Sequence, residues 1–537
     1  MKGVESAKMD PALAMEVAAL SQRRVLDEAI EKGNSDIQMF YENSTIFVTG
    51  GSGFLGKHMI EKLFRSCKLK KIFMLLRSKK GKTLEQRLSE IVNDPVYNDL
   101  KKGQPDFIKK LVAVNGDVTE PRLGLSDSDW LAITQEVEVI IHGAATISFD
   151  EPLKVATIIN IKGTKEVLLL GKQCKKLKSF IHISTAYSHA SMDRCGSEVN
   201  EKFYPAPVPP ETMIQMAQNI DEATLEKITS SFIQKWPNTY SFTKAIAEEL
   251  VREMAGDLPI CIVRPAVVIC CYREPSPGWI DQSCAYGPSG LIIGLGLGVV
   301  HVIYADLSKL IDLVPADCVN NVAIAAGWET ARRHQAGYTG EPLIYTVTGT
   351  RNPMTIGQLE ENLQRMRHLI SPKAVWYCCS LTTKYKFMTF LYTWLFHYIP
   401  AYFIDALMRV IGKKPQFVKL YTKVYTLSTV FSYYLNNDWK FGDKNTQELQ
   451  KNMSSTDREI YDFDISKIDR MEQVFIWYMG LRKYVIKDNL TGTNYAVRKQ
   501  TVFQYLNYIV LALYAYGWWK ILTYMCSGVT YAYKSAF

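Results

Sequence analysis

The chain predicts an α/β fold, a doubly wound parallel sheet followed by a mainly helical C-terminal part and an apolar anchor. Three observations lead there. Between residues 44 and 349, runs that are apolar throughout alternate with segments of helical periodicity, the pattern of strands covered on both faces. A glycine-rich turn, TGGSGFLGKH, stands between the first such run and the first helical segment. Beyond Pro372 the alternation gives way to charge-poor stretches at 387–404 and 502–519.

Taken in order, TIFVTG (45–50) reads as the first strand and GKHMIEKLFRSC (56–67) as the helix after it. KKIFMLLR (70–77), VAVNGDV (112–118), VEVIIHGAA (137–145), KSFIHISTAY (178–187) and PICIVRPAVV (259–268) follow as strands. The expected architecture is therefore Rossmann-like, with ligands at the carboxyl ends of the strands. Residues 1–43 read as a leader, a short amphipathic helix or a flexible segment, without the apolar core of a secretory signal. The expected divisions are a cofactor-binding part at 44–360, a C-terminal domain at 361–495 and a membrane-spanning helix at 502–519. In 387–404, Pro400 and the polar Thr, Tyr and His residues favour a buried or interfacial helix over a span. Residues 502–519 are uncharged, carry Tyr and Trp toward both ends and follow Arg498 and Lys499, as a bilayer interface selects.

Composition excludes several classes. With 47% hydrophobic and 22% charged residues the chain is not disordered. The net charge of +9 is spread without a dense basic run interleaved with aromatics, so no nucleic-acid partner is expected. The eleven cysteines include no C-x-x-C, which predicts neither a metal site nor a disulfide framework.

The glycine turn fits two phosphate loops. Read as a triphosphate loop it fails at His58, where magnesium needs a Ser or Thr hydroxyl. Read as a dinucleotide loop, Gly50, Gly53 and Gly56 are correctly spaced behind a strand, and Thr49, Ser52, Phe54 and Leu55 complete the cradle. Lys57 is then an ordinary first-turn residue. Near the end of the second strand stand Arg77, Ser78, Lys79 and Lys80, with Arg87 further on, where an NAD site usually has a carboxylate. Cations there suit a 2′-phosphate and predict NADPH; the competing reading is a solvated basic loop. Asp117 and Val118 follow the third strand, the aspartate placed for an adenine amino group or for a plain turn. Gly143, Ala144 and Ala145 leave room for a cofactor after the fourth, and His142 beside them reads as a packed strand-end residue.

Tyr240 and Lys244 sit one turn apart on a helix face. A Lys⁺ there is expected to lower the phenol pKa from about 10, so that the pair exchanges protons with a carbonyl oxygen as hydride arrives. Ser184 or Thr185, at the end of the fifth strand, is placed to donate to the same oxygen.

With these motifs in place, the sequence resembles the extended short-chain dehydrogenase/reductases (extended SDR), and more narrowly the alcohol-forming fatty acyl-CoA reductases. TGGSGFLGK, LLRSKKG, GDVTEPRLGLS, HGAATISFDEPL, HISTAY and YSFTKAIAEEL carry the first resemblance. HYIPAYFIDALMRVIGKKP, WKFGDKNTQEL and GLRKYVIKD carry the second and separate the chain from sugar-nucleotide epimerases and steroid dehydrogenases. The resemblance implies two-step NADPH-dependent reduction of a long-chain fatty acyl-CoA, through an aldehyde, to a primary alcohol. It implies Tyr240 and Lys244 as the catalytic pair, Thr185 in preference to Ser184 as their partner, and Pro265, with Arg264, as cofactor-flanking. Gly143 departs from the alanine expected in its motif. The alternatives are a sterol or sugar-nucleotide enzyme of the same superfamily and a catalytically silent membrane adaptor. The expected location is the endoplasmic reticulum membrane with the catalytic domain cytosolic, or the peroxisomal membrane, although the C-terminal KSAF is not an SKL-type signal. The sequence carries no reading of oligomeric state.

Overall fold

The computed structural model describes residues 9–20, 23–78 and 81–536, so Lys79 and Lys80 lie outside the described residues. A seven-stranded sheet organises the first two-thirds of the chain. Its strands are β1 (Thr45–Thr49), β2 (Lys71–Leu76), β3 (Leu111–Asn115), β4 (Val139–His142), β5 (Ser179–Ile183), β6 (Ile260–Pro265) and β7 (Leu343–Val347). They lie in the order β7-β6-β5-β4-β1-β2-β3, and every neighbouring pair is parallel. The chain winds outward in both directions from the β1–β4 boundary, where Thr49 is in register with His142. A crevice at this reversal is where such sheets bind ligands.

The six expected strands are present, each shorter than the run that announced it. The Gly, Ser, Thr and Asp residues at the ends of those runs belong to the loops. β7 was not anticipated, because LIYTV is a short run broken by two hydroxylated side chains. It becomes a strand by pairing with the free edge of β6, Tyr345 opposite Val263 and Thr346 opposite Arg264.

Four helices of this part matter for the site. α1 (Phe54–Ser66) follows the glycine turn and α2 (Gly163–Gln173) continues a π turn at Ile158–Lys162. α3 (Thr239–Met254) is capped by Asn238, whose side chain accepts from the Ser241 amide, and α4 (Ala316–Gln335) is buried along most of its length. In the C-terminal part, α5 (Lys386–Thr393) runs through a π turn at Trp394–Tyr398 into α6 (Ile399–Val410). After a short turn comes α7 (Phe417–Leu435), and the chain ends in the long α8 (Thr493–Ala536).

Alternate residues of β1 serve the two faces of the sheet, as its two-residue period requires. Phe47 joins Ile140, Phe180, Phe242 and Ile246 on one side. Ile46 and Val48 join a cluster on the other that includes α4 residues and, from the C-terminal part, Trp439, Phe441, Tyr461 and Trp477. Among the described residues one helix is long and apolar enough to cross a membrane, at Thr493–Ser527, with mean hydropathy 1.2. The stretch 387–404 is not a buried helix. It falls across α5, the π turn and α6, and Phe387, Phe390, Trp394, Tyr402 and Phe403 are exposed.

Candidate active site

The glycine turn closes tightly over the carboxyl end of β1. Gly50 has φ +75°, in the left-handed region, and a Cβ there would stand 2.6 Å from the Gly143 carbonyl carbon. A Cβ on Gly56 would stand 2.2 Å from the Gly50 oxygen, so the first turn of α1 packs directly on the loop. The Gly53 amide donates to Gly50 O at 3.0 Å, and Gly53 starts α1 without a side-chain cap. Amides at such a helix start favour an anionic ligand, and side chains at these glycines would fill the cradle. The residues present therefore fit a dinucleotide. Lys57 does not point at this cradle: its ammonium pairs with Asp94 at 2.7 Å and with Asp281. His58 is buried against the Glu274 carbonyl and Asn320.

At the ends of β2 and β3, the Arg87 guanidinium donates to the Arg77 carbonyl, which brings both cations to one rim. Arg77 is exposed and stands 3.9 Å from Asp117. Ser78 donates to Asn115 at 2.7 Å on the same rim. Asp117 Oδ1 accepts from the Thr119 amide and hydroxyl, both at 3.0 Å, so this aspartate holds a turn with one oxygen and faces Arg77 with the other. Val118 is buried against Gly163 at the start of α2.

His142 is a structural residue. Ala144 N donates to Thr49 Oγ1, which leaves the Thr49 hydroxyl to donate to Nδ1 at 2.7 Å. Nε2 then donates to Thr164 Oγ1 at 3.1 Å, whose own proton goes to the Asn160 carbonyl. Burial, with the Lys244 charge nearby, holds the imidazole down to about 3, so it stays neutral.

Tyr240 and Lys244 lie on the face of α3 that covers the carboxyl end of β5. Lys244 Nζ donates to the Ile183 carbonyl at 2.7 Å. Burial lowers its pKa to about 8, opposed by the charge of Glu248. The expected lowering of the phenol does not occur. Burial raises the Tyr240 pKa above its ordinary value, and a hydrogen bond with Thr185 offsets only part of this. The Lys244 ammonium is spent on a backbone carbonyl rather than on the phenol.

Ser184 and Thr185 separate in space. Thr185 meets Tyr240, accepts from the Tyr187 amide at 3.2 Å and lies 3.4 Å from the Pro265 carbonyl. Ser184 instead donates inward to Glu248 at 2.5 Å. Glu248 also binds Ser188, His189 and Arg264, the last through two nitrogens at 2.5 and 3.0 Å. Burial pushes this carboxyl up, but Arg264 and His189 outweigh burial and hold it well below the usual range. Glu248 was missed although its signal was present: Tyr240, Lys244 and Glu248 recur every fourth residue. Asn160 was missed too. Its π-turn position lets it accept from Thr146 N at 2.9 Å and donate to Thr243 Oγ1 at 3.0 Å, tying the β4 loop to α3.

The C-terminal part covers this centre. Phe149 packs on Tyr240, Phe431 and Tyr434 with ring centroids 5.9, 5.8 and 5.9 Å apart. Tyr434 receives a hydrogen bond from Asn238 at 2.9 Å, next to the N-terminus of α3. Cys67, Cys261, Cys270, Cys271 and Cys318 are buried free thiols, and the described residues hold no cluster suited to a metal.

A glycine cradle at the sheet reversal, facing a Thr–Tyr–Lys group under an aromatic cover, is the arrangement of a nicotinamide-dependent reductase. Comparison with known proteins agrees. Residues 48–323 match an NAD-binding family model described as male sterility protein, and 396–488 match a second model of that description. The fatty acyl-CoA reductase wat of Drosophila melanogaster is 35% identical over 492 residues, 91% of this chain and 93% of that protein. Fatty acyl-CoA reductase 2 of Homo sapiens is 32% identical over 494 residues, 90% of this chain and 93% of that one. The chain belongs to the fatty acyl-CoA reductase family. Solved structures similar to the reductase share its fold. The terminal R domain from the myxalamid PKS-NRPS biosynthetic pathway superposes with TM-score 0.55 at 18% identity, covering 83% of this chain and 92% of that one. The R domain of a non-ribosomal peptide synthetase from Mycobacterium tuberculosis gives 0.52 at 16%, covering 88% and 98%. The reductase thus joins a nicotinamide-binding sheet to a C-terminal segment whose Phe431 and Tyr434 reach the rings beside Tyr240.

Proposed function

We propose that this reductase converts a long-chain fatty acyl-CoA, two NADPH and two protons into a primary alcohol, free CoA and two NADP⁺, through an aldehyde. The observation that carries the reading is the hydrogen bond between Thr185 and Tyr240, one helical turn from buried Lys244, with Phe149 packed on Tyr240 and Phe431 and Tyr434 of α7 packed on Phe149. When bound at the glycine cradle, the nicotinamide cofactor would supply the hydride for reduction of the thioester carbonyl and of the aldehyde. Thr185 and Tyr240 hydroxyls hold the carbonyl oxygen, and Tyr240 gives it a proton as negative charge develops. A phenol with a raised pKa is a competent donor for this step because it stays protonated at neutral pH. Lys244, fixed on Ile183, would place positive charge near the site and stabilise the negative charge that develops there, including the phenolate left when Tyr240 gives up its proton. The aromatic cover excludes water, which strengthens each of these interactions.

Gly50, Gly53 and Gly56 would hold the pyrophosphate, with Thr49, Ser52, Phe54 and Leu55 around them. Asp117 and Val118 would flank the adenine, and Gly143, Ala144, Ala145 and Pro265 the nicotinamide side. Arg77 and Arg87 support a 2′-phosphate and hence NADPH over NADH. The acyl chain suits a membrane enzyme, since each CH₂ favours lipid by about 0.8 kcal/mol; the endoplasmic reticulum with a cytosolic catalytic part fits best.

The test is incubation of the membrane-bound full chain with palmitoyl-CoA and NADPH. Two NADPH oxidised per CoA released, with alcohol formed, is the expected result. Aldehyde alone would restrict the reaction to one step. Turnover in a Tyr240→Phe variant equal to that of the unaltered chain would refute the mechanism. Equal KM for NADPH and NADH, unmoved by Arg77→Ala, would refute the cofactor assignment.

A further inference from the structure

Away from Tyr240 and Lys244, the hairpin formed by α5, α6 and α7 carries a broad bare apolar surface. Phe387 is 73% exposed, Phe403 66%, Val410 84% and Ile411 64%, with Tyr385, Phe390, Trp394, Tyr402 and Leu407 beside them. A soluble face of this kind calls for an occupant. We propose that it docks into the headgroup and upper acyl region of an anionic membrane leaflet, as a second membrane contact beside α8. The proposal rests on reading α8 as a membrane helix.

Charge identifies the occupant. Residues 384–436 contain seven basic side chains, Lys384, Lys386, Arg409, Lys413, Lys414, Lys419 and Lys423, and one acid, Asp405. All seven cations are exposed. Asp405 is buried and accepts from the amides of Gln416, Phe417 and Val418 at 2.9 to 3.0 Å, so it caps α7 and does not offset the surface charge. An apolar face rimmed with cations fits a leaflet that is apolar within and anionic at its surface.

Position identifies it as well. Lys499 and Lys520 bracket an uncharged stretch of α8, about 30 Å long and thus matched to the hydrocarbon core. Tyr514, inside that bracket, donates to the Leu395 carbonyl at 3.1 Å, and Asn507 accepts from Trp376 Nε1 at 3.1 Å. These bonds tie the α5–α6 junction to the side of α8, so the bare aromatic surface lies beside the apolar helix. α7 then leads inward. Leu420 and Tyr425 are exposed at its outer part, while Phe431 and Tyr434 reach the ring cluster on Tyr240. From 420 to 434 the helix rises about 21 Å, a path of the length a long acyl chain needs to pass from leaflet to reacting centre.

The test places a photoreactive phenylalanine analogue, in the full chain, at Phe403 or Val410, at Leu513 on α8, or at the exposed Leu131 in the helix Asp127–Glu136. Each chain is reconstituted in phosphatidylcholine vesicles with or without phosphatidylserine and irradiated. Lipid adducts are expected at 403, 410 and 513 and not at 131. Adding Lys413→Glu and Lys414→Glu should lower the yield at 403 and 410 by more than about fivefold in phosphatidylserine vesicles, and leave 513 unchanged. Lipid adducts at 513 with only protein adducts, or none, at 403 and 410 would overturn the docking proposal while sparing the anchor. Absence of lipid adducts at 513 would overturn the anchor and the docking with it. None of these outcomes depends on turnover, so failure of the acyl-CoA reading would show separately.

Discussion

Thr185 and Ser184 are adjacent in sequence but serve different groups, and their variants should differ in kind. Thr185→Val removes the hydroxyl that meets Tyr240 and is expected to lower kcat by roughly 10²-fold, the cost of losing one oxyanion donor. Ser184→Ala removes one hydrogen bond to buried Glu248, which keeps those from Ser188, His189 and Arg264. It should cost about 1–3 kcal/mol of stability with kcat changed only severalfold. Single-turnover rates and urea melts on both variants separate the two effects, and a large kcat loss in Ser184→Ala would reverse the assignment. Lys244 gives a pH signature. With its pKa at about 8 in the fold, the ammonium is lost as pH rises through that value, so kcat/KM should fall on a basic limb near pH 8. Lys244→Arg, charged throughout, should lower the rate and remove the limb. For stability the sign runs the other way. The folded pKa lies below the unfolded value of about 10.4, so the cost of the buried charge is fully present below pH 8. It is relieved between about 8 and 10.4, where the unfolded chain binds the extra proton and stability rises with pH. Lys244→Met should therefore melt higher than the unaltered chain at pH 7 while turning over far more slowly.

At the scale of elements, β5 carries an unneeded polar group into the sheet. His182 is fully buried, its ring nitrogens find no partner among the described residues, and burial drives its pKa well below the usual range. Phe180, on the same face, sits in an apolar cluster. A buried unsatisfied donor costs about 1–3 kcal/mol, so His182→Leu should raise the denaturant midpoint at constant slope; a lower midpoint would mean that the ring packs better than leucine can. This element also shows what a sequence discloses. Its strand, the glycine turn and the Tyr240/Lys244 face are legible because period and spacing are properties of the chain alone. The direction of the Tyr240 pKa is not, because it depends on how much water reaches the phenol and on where Lys244 spends its charge. β7 is not either, since a short mixed run becomes a strand only when an edge such as that of β6 offers it partners. Phe431 and Tyr434 could not be placed beside Tyr240 from sequence, lying almost two hundred residues beyond it.

At the scale of the molecule, the cofactor-binding part and the C-terminal part do not have separate interiors. The cluster on one face of the sheet runs from Ile46 and Val48 through α4 to Trp439, Phe441, Leu449, Tyr461, Trp477 and Met479. At about 1.5–3 kcal/mol for each large buried side chain, those six residues alone contribute roughly as much as the whole 5–15 kcal/mol by which a domain is stable. The ionic contacts agree. Lys62 on α1 is buried with Glu274 at 2.6 Å and donates to the Ile460 carbonyl at 2.6 Å. Removing the C-terminal part would leave that ammonium short of a ligand and newly wet on one side. Arg470 is held likewise by the carbonyls of Asn352 and Leu313, the latter at 3.1 Å. A fragment ending at residue 383 should therefore fail to fold, despite holding Tyr240, Lys244, Thr185 and the entire glycine cradle. The full chain in detergent should unfold in one cooperative thermal transition seen alike by far-ultraviolet circular dichroism and by tryptophan fluorescence. A soluble fragment that melts cooperatively and binds NADPH would show the two interiors to be independent. In that case the aromatic cover on Tyr240 would be a docked accessory, and the fragment should then reduce small, water-soluble aldehydes that have no acyl chain to guide.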